Sequence, residues 1–167
     1  RLTEHVSDDV RAVMGDKVAL EMLRAFARVA HFWDDLIDGD KNLDDASVHA
    51  RMWDAVVTLP CNAFYHEHIA TLAPIIANAI INWRIATNIE RDPHSTPKDL
   101  GFAFLIRSAY VDLVTTCALI IGGVEHAVAI GPAVRRWIHE EGFFKYLDNL
   151  AAAQRAREGK EIFHVLG

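Results

Sequence analysis

Between His31 and Asp40 the chain reads His-Phe-Trp-Asp-Asp-Leu-Ile-Asp-Gly-Asp, which places four carboxylates and one imidazole within a few turns of helix. Helical spacing sets Asp34 and Asp38 one turn apart and brings Asp35 onto the same side as Asp38, where like charges destabilise a helix by a few tenths of a kcal/mol per pair. The negative end of the helix dipole adds to that repulsion. A bound cation reverses both effects. Oxygen ligands alone, with positions left for water and phosphate oxygens, suit Mg²⁺ or Mn²⁺. Asp34, Asp35 and Asp38 are therefore candidate metal ligands. Asp34 and Asp38 rank first, because Asp34 is in register with Leu23, Phe26, Ala30 and Ile37, the apolar stripe that should face the bundle interior. The competing reading is a solvated helix end in which Asp38, Gly39 and Asp40 are turn residues.

The elements that must position these residues are helices. Apolar side chains recur at three- and four-residue steps almost throughout, and alternating runs bounded by Asn-Gly or Asp-Gly turns are absent. The expected fold is all-α, a single-domain antiparallel helical bundle over residues 1–167 with one central apolar helix. Ser7 can cap a first helix through Val10, Val13 and Met14, and Gly15-Asp16 is either a weak point or a break with Asp16 as a new cap. The stripe from Leu20 to Ile37 follows, stopped by Gly39 and Asn42. A shorter helix starts near Asp44-Asp45 and ends before Pro60. The next is capped by Asn62, runs to about Glu90 and should kink at Pro74. After a loop from Arg91 to Pro97, Thr96-Pro97-Lys98-Asp99 is a strong helix start. The helix it opens is apolar nearly all round as far as Gly122-Gly123, so it is the candidate for the buried centre. Gly131-Pro132 then separates a last amphipathic helix reaching about Gly159.

Rise per residue gives a first map of the site. The short second helix descends about 24 Å, and the third regains that height near Asn78 and reaches Asn82 at about 30 Å, so Asn82 can face the Asp cluster. Glu90 lies about 12 Å further along the same axis. Arg91, His94 and Lys98 come to the same end as candidate phosphate contacts.

Asp34-Asp35-Leu36-Ile37-Asp38 resembles the first aspartate-rich motif of the isoprenyl diphosphate synthase and terpenoid synthase superfamily. That resemblance implies an all-α fold in which the motif closes a long helix and binds the Mg²⁺ that holds a substrate diphosphate. In terpenoid synthases a second metal motif has Asn, then Ser four residues on, then Glu four further on. Here Asn82 and Glu90 hold the outer positions and Ala86 stands where the family has Ser. The second aspartate-rich motif of prenyl synthases is absent, and the chain is shorter than the family's domains.

Charge and cysteines narrow the alternatives. Lys plus Arg total 17 against 23 Asp plus Glu, a net charge of −6 with the basic residues scattered, so the footprint of a nucleic-acid binder is missing. Cys61 and Cys117 form no CxxC and imply neither a disulfide framework nor a zinc site, which fits a cytoplasmic setting. The apolar stretches Ile69 to Ile81 and Tyr110 to Val124 are interrupted by Pro74, Asn78 and Asp112 and fall short of the ~18 clean residues of a membrane span. Arg107 and Asp112, in the most apolar helix, should form buried ion pairs with other helices, Arg107 otherwise contacting a diphosphate. The four tryptophans lie on apolar stripes and are expected in the core. Glu161 and His164 have Glu-x-x-His spacing, but a di-iron bundle needs two such motifs.

The expected function is Mg²⁺-dependent binding or transformation of a diphosphate-bearing small molecule, an isoprenoid being what the resemblance implies, in a chain that can also form homo-oligomers. The rivals are a helical, metal-dependent nucleotide pyrophosphohydrolase and a non-catalytic helical interaction protein that self-associates through an apolar face.

Overall fold

A computed structural model describes residues 7–39, 44–139 and 142–165, with side chains as far as Arg155. Asp40, Asn42, Glu161 and His164, singled out above, lie outside the described residues or side chains. Among those described there is no strand, and the all-α expectation is met. The helices are α1 (Asp8–Ala12), α2 (Lys17–Asp38), α3 (Asp45–Trp53), a π-helical segment (Asp54–Thr58), α4 (Leu59–Cys61), α5 (Ala63–Arg91), α6 (Pro97–Arg107), α7 (Tyr110–Ile138) and α8 (Phe143–Val165). They group into two compact units, Arg1–Ala77 with Tyr110–Trp137, and Asn78–Ala109 with Ile138–Gly167.

In the first unit the break at Gly15-Asp16 is realised. Met14 and Gly15 take positive φ, and the Asp16 carboxylate accepts the Val18 and Ala19 amides at 2.9 and 3.0 Å, capping α2. Ser7 occupies the N-cap position of α1 but makes no capping bond through its side chain. Asn62 caps α5 as expected, accepting the Tyr65 amide at 3.0 Å while its own amide donates to the Val18 carbonyl at 2.9 Å.

Helix does not stop before Pro60. Proline lacks the N–H that the Val56 carbonyl would need, and the wider π turn lies immediately ahead of it, so α4 can carry Pro60 in its first turn. In α5 the departure from helical geometry falls at His68 (φ −110°, ψ 18°) rather than at Pro74. Pro74 crowds the Ala70 carbonyl, and the backbone yields two residues further upstream, where the His68 ring packs 4.7 Å from that of Phe64.

The expected fourth helix is two, separated at Ser108 (φ −92°, ψ 34°). Its second part is the buried centre: Val111, Leu113, Val114, Cys117 and Ala118 of α7, like Ala19, Met22 and Leu23 of α2, are among the core residues of this unit. Burial raises the Cys117 thiol to about 12, which excludes a thiolate nucleophile there. The Tyr110 hydroxyl donates to the Leu23 carbonyl at 2.9 Å, and its ring stacks on Phe26.

Gly131-Pro132 does not break the chain. Pro132 forfeits one hydrogen bond within a segment anchored by buried Ile130 and Val134, and the break falls instead at Gly123, with φ 78° and ψ −177°. That region is open in practice only to glycine, so Gly123→Ala should cost about 1–3 kcal/mol, visible as a lowered midpoint in thermal unfolding. Beside it, His126 Nε2 lies 2.9 Å from the Ala12 carbonyl, joining the α7 kink to the end of α1.

An ion-pair network absent from the sequence expectations ties α2 to the π segment. Arg28 grips Asp54 through two bonds of 2.9 and 3.0 Å, and Arg51 approaches the same carboxylate at 3.3 Å. These guanidinium bonds, Arg28's foremost, hold the Asp54 carboxyl below the usual carboxylate range. A carboxyl with a depressed folded pKa stabilises the fold above its unfolded value of ~3.9, and that contribution disappears as pH falls through the lower folded value. Asp54→Asn should therefore cost about 2 kcal/mol at pH 7, in the lower part of the range for charged hydrogen bonds because Arg28 stays partly in water. The difference from the parent should shrink steadily below ~pH 4 in urea unfolding.

Two helical stretches, Ala63–Arg91 and one within Tyr110–Arg155, are long and apolar enough to cross a membrane. The expectation that none could span is not upheld: Pro74, Asn78 and Asp112 interrupt these runs without making them polar. The core helix of a soluble protein meets the same test of length and composition.

Candidate functional site

The aspartate-rich segment lies on the last two turns of α2. Gly39 ends that helix in the left-handed conformation, its N–H bonded to the Asp35 carbonyl at 3.0 Å. Asp34, Asp35 and Asp38 are all half-buried. The stripe that aligned Asp34 with the interior is buried at Leu23, half-buried at Phe26 and Ala30, and 43% exposed at Ile37. The carboxylates therefore stand where the stripe leaves the core.

Among the described residues no group of three or more His, Cys, Asp or Glu side chains could hold a metal ion. The three aspartates do not make a three-ligand set, and helix geometry supplies the reason. Consecutive residues diverge by about 100° around the axis, so Asp34 and Asp35 cannot both aim where Asp38 does. At most a pair serves one cation, Asp34 with Asp38 or Asp35 with Asp38.

The remaining candidates belong to the second unit. Asn82, half-buried, and Arg91, exposed, are on α5; Lys98 is exposed on the first turn of α6, its ammonium 5.8 Å from the centre of the Phe102 ring. The α6 start has its full capping box: Asp99 N–H donates to Thr96 Oγ1, and Thr96 N–H donates to the Asp99 carboxylate at 2.8 Å. The Thr96 hydroxyl, donating at 2.6 Å, holds the Asp99 carboxyl below its usual range.

Glu90, a candidate metal ligand, and Arg107, read as half of a buried ion pair or else as a phosphate contact, are each other's partners. Arg107 Nε and a terminal nitrogen donate to the two Glu90 oxygens at 3.0 and 2.8 Å, the bidentate geometry that planar guanidinium favours. Tyr146 of α8 adds a third bond, its hydroxyl 2.6 Å from Glu90 Oε1, and Trp83 lies under the guanidinium at 5.2 Å. The Glu90 side chain is only 5% exposed. Burial, then the bond to Glu90, pushes the Tyr146 hydroxyl far above its ordinary pKa, so it is a fixed donor. A metal at Glu90 would have to displace Arg107.

Arg107 thus forms the buried ion pair read from the sequence, whereas Asp112, across the Ser108 break, is half-exposed and 3.8 Å from Arg135. No spacing rule joins residue 146 to residue 90, so Tyr146 left no signal in the sequence. None of the four tryptophans expected in the core is buried: Trp53 is 62% and Trp137 39% exposed, and Trp33 and Trp83 are half-buried.

No family model matches this chain, and neither a curated protein nor a solved structure matches it.

Proposed function

We propose that this protein binds a diphosphate-bearing small molecule through Mg²⁺ held at the C-terminal end of α2, with Asp34 and Asp38 as the primary ligands. The observation that carries this reading is the placing of Asp34, Asp35 and Asp38, half-buried, on the two turns where the helix dipole is most negative. Two carboxylates from one helix are a poor cage for a bare ion. They match the way Mg²⁺ is commonly held, by one or two carboxylates with water and substrate phosphate oxygens completing the octahedron. The chemistry Mg²⁺ would supply is orientation of the diphosphate and neutralisation of its charge as it leaves. An isoprenoid diphosphate is the substrate class that the resemblance suggests.

The test is thermal unfolding with Mg²⁺ alone, pyrophosphate alone and both together. A joint ligand at ~100 times its dissociation constant adds about 2.7 kcal/mol, a rise of roughly 5–10 °C for a domain of this size. The expected result is a rise with both that neither gives alone. No joint rise would make the segment a helix terminus only. The rival reading, a non-catalytic interaction protein, draws on the many large apolar side chains left exposed, and a chain that fails this test while self-associating would favour it. A joint rise followed by hydrolysis of nucleotide diphosphates would favour the pyrophosphohydrolase.

A further inference from the structure

We infer that the outer half of the α2–α3 hairpin is an interface with a second copy of this chain. Arg28 of α2 meets Asp54, the residue that follows α3, across 26 residues of sequence, so α3 runs back along α2, with which it is in contact. Burial in α2 ends at Ala25, and α3 has no buried residue.

The surface left open is apolar. Leu36, Ile37, Val48, Met52, Trp53 and Val56 are 42–64% exposed, and Val48, Met52 and Val56 recur at one-turn steps along the hairpin. Together these six present on the order of 600 Å² of side chain, at the upper limit of the largest patch on an ordinary monomer. Two such faces joined about a two-fold axis bury roughly 1,200 Å², the lower bound for a stable specific contact. The same patch serves both copies, and two hairpins so joined make a four-helix bundle.

Sedimentation of the full chain over a hundredfold concentration range tests this. The wild type should approach twice 18.7 kDa, and Met52→Glu with Trp53→Glu should raise the dimer dissociation constant at least tenfold with the far-ultraviolet helix signal unchanged. Both residues are exposed in the single chain, so the substitutions leave its core intact. As a second measurement, Met52→Cys in a Cys61→Ala background should form a disulfide dimer under mild oxidation. A wild type that stays monomeric at every concentration, a double variant that dimerises as tightly as the parent, or a wild type that instead floats with phosphatidylcholine vesicles would overturn the proposal.

Discussion

Arg107→Met should destabilise the second unit by about 3–5 kcal/mol, because it leaves the Glu90 carboxylate buried without its cation. That is a large part of the 5–15 kcal/mol typical of a domain, and this unit has little apolar reserve. Its buried residues among those described are small or polar: Ala79, Ala86, Thr87, Ala103, Ala109 and Tyr146. What holds it beside the ion pair is the aromatic group around Phe104, whose ring lies 5.0–5.4 Å from those of His139, Phe143 and Tyr146. Loss of Arg107 also removes the cation above Trp83, about 0.5–1 kcal/mol more. Adding Glu90→Gln to Arg107→Met should recover most of the loss, since the cost comes from the orphaned charge and not from a missing attraction. Amide exchange along α6, compared among the parent, the single and the double variant, reads the effect where it arises. An unchanged exchange pattern in Arg107→Met, with a weakened response to pyrophosphate, would return Arg107 to its other reading as a phosphate contact.

The sequence was most legible where the rules are local. Asn62 and the Thr96-Asp99 box read as caps, and Asp16 as one of two alternatives, because a capping side chain bonds its own backbone within three residues; each does so, whereas Ser7, read the same way, makes no such bond. The burial of Val111, Leu113, Val114, Cys117 and Ala118 was readable for a similar reason, since a helix apolar on all sides has few places other than a core, although Phe102 and Leu105 of the same expected helix are half-exposed. Breaks were harder. Gly131-Pro132 and Gly122-Gly123 both read as interruptions, but only Gly123 takes a conformation closed to other residues, whereas Pro132 is carried by the packing of Ile130 and Val134. Pairings distant in sequence left no trace. Arg28 with Asp54 and Glu90 with Tyr146 are set by how helices come together, and a carboxylate reads the same in sequence whether it will meet a metal or a guanidinium. Period alone also extended the α2 stripe to Ile37, although burial ends a dozen residues earlier, because helical spacing shows which face could be covered but not how far along the axis a neighbour reaches.

Asp34→Asn with Asp38→Asn should separate the metal reading from the helix-terminus reading by moving two quantities in opposite directions. Without ligand, the double variant should be slightly more stable than the parent, by about 0.5–1 kcal/mol, since it removes a like-charge pair one turn apart and two anions from the negative end of α2. With Mg²⁺ and pyrophosphate together, the rise of roughly 5–10 °C expected of the parent should vanish, because amide oxygens offer the cation no charge. Asp35→Asn alone should leave most of that rise in place if Asp34 and Asp38 form the coordinating pair, as their one-turn spacing favours over the divergent directions of Asp34 and Asp35. A parent that shows the joint rise and keeps it in the Asp34/Asp38 variant would place the diphosphate elsewhere. A variant that gains stability from a parent showing no joint rise would mean that the acidic turn is a repulsive terminus, its cost offset by the burial of Met22 and Leu23 nearer the start of the same helix.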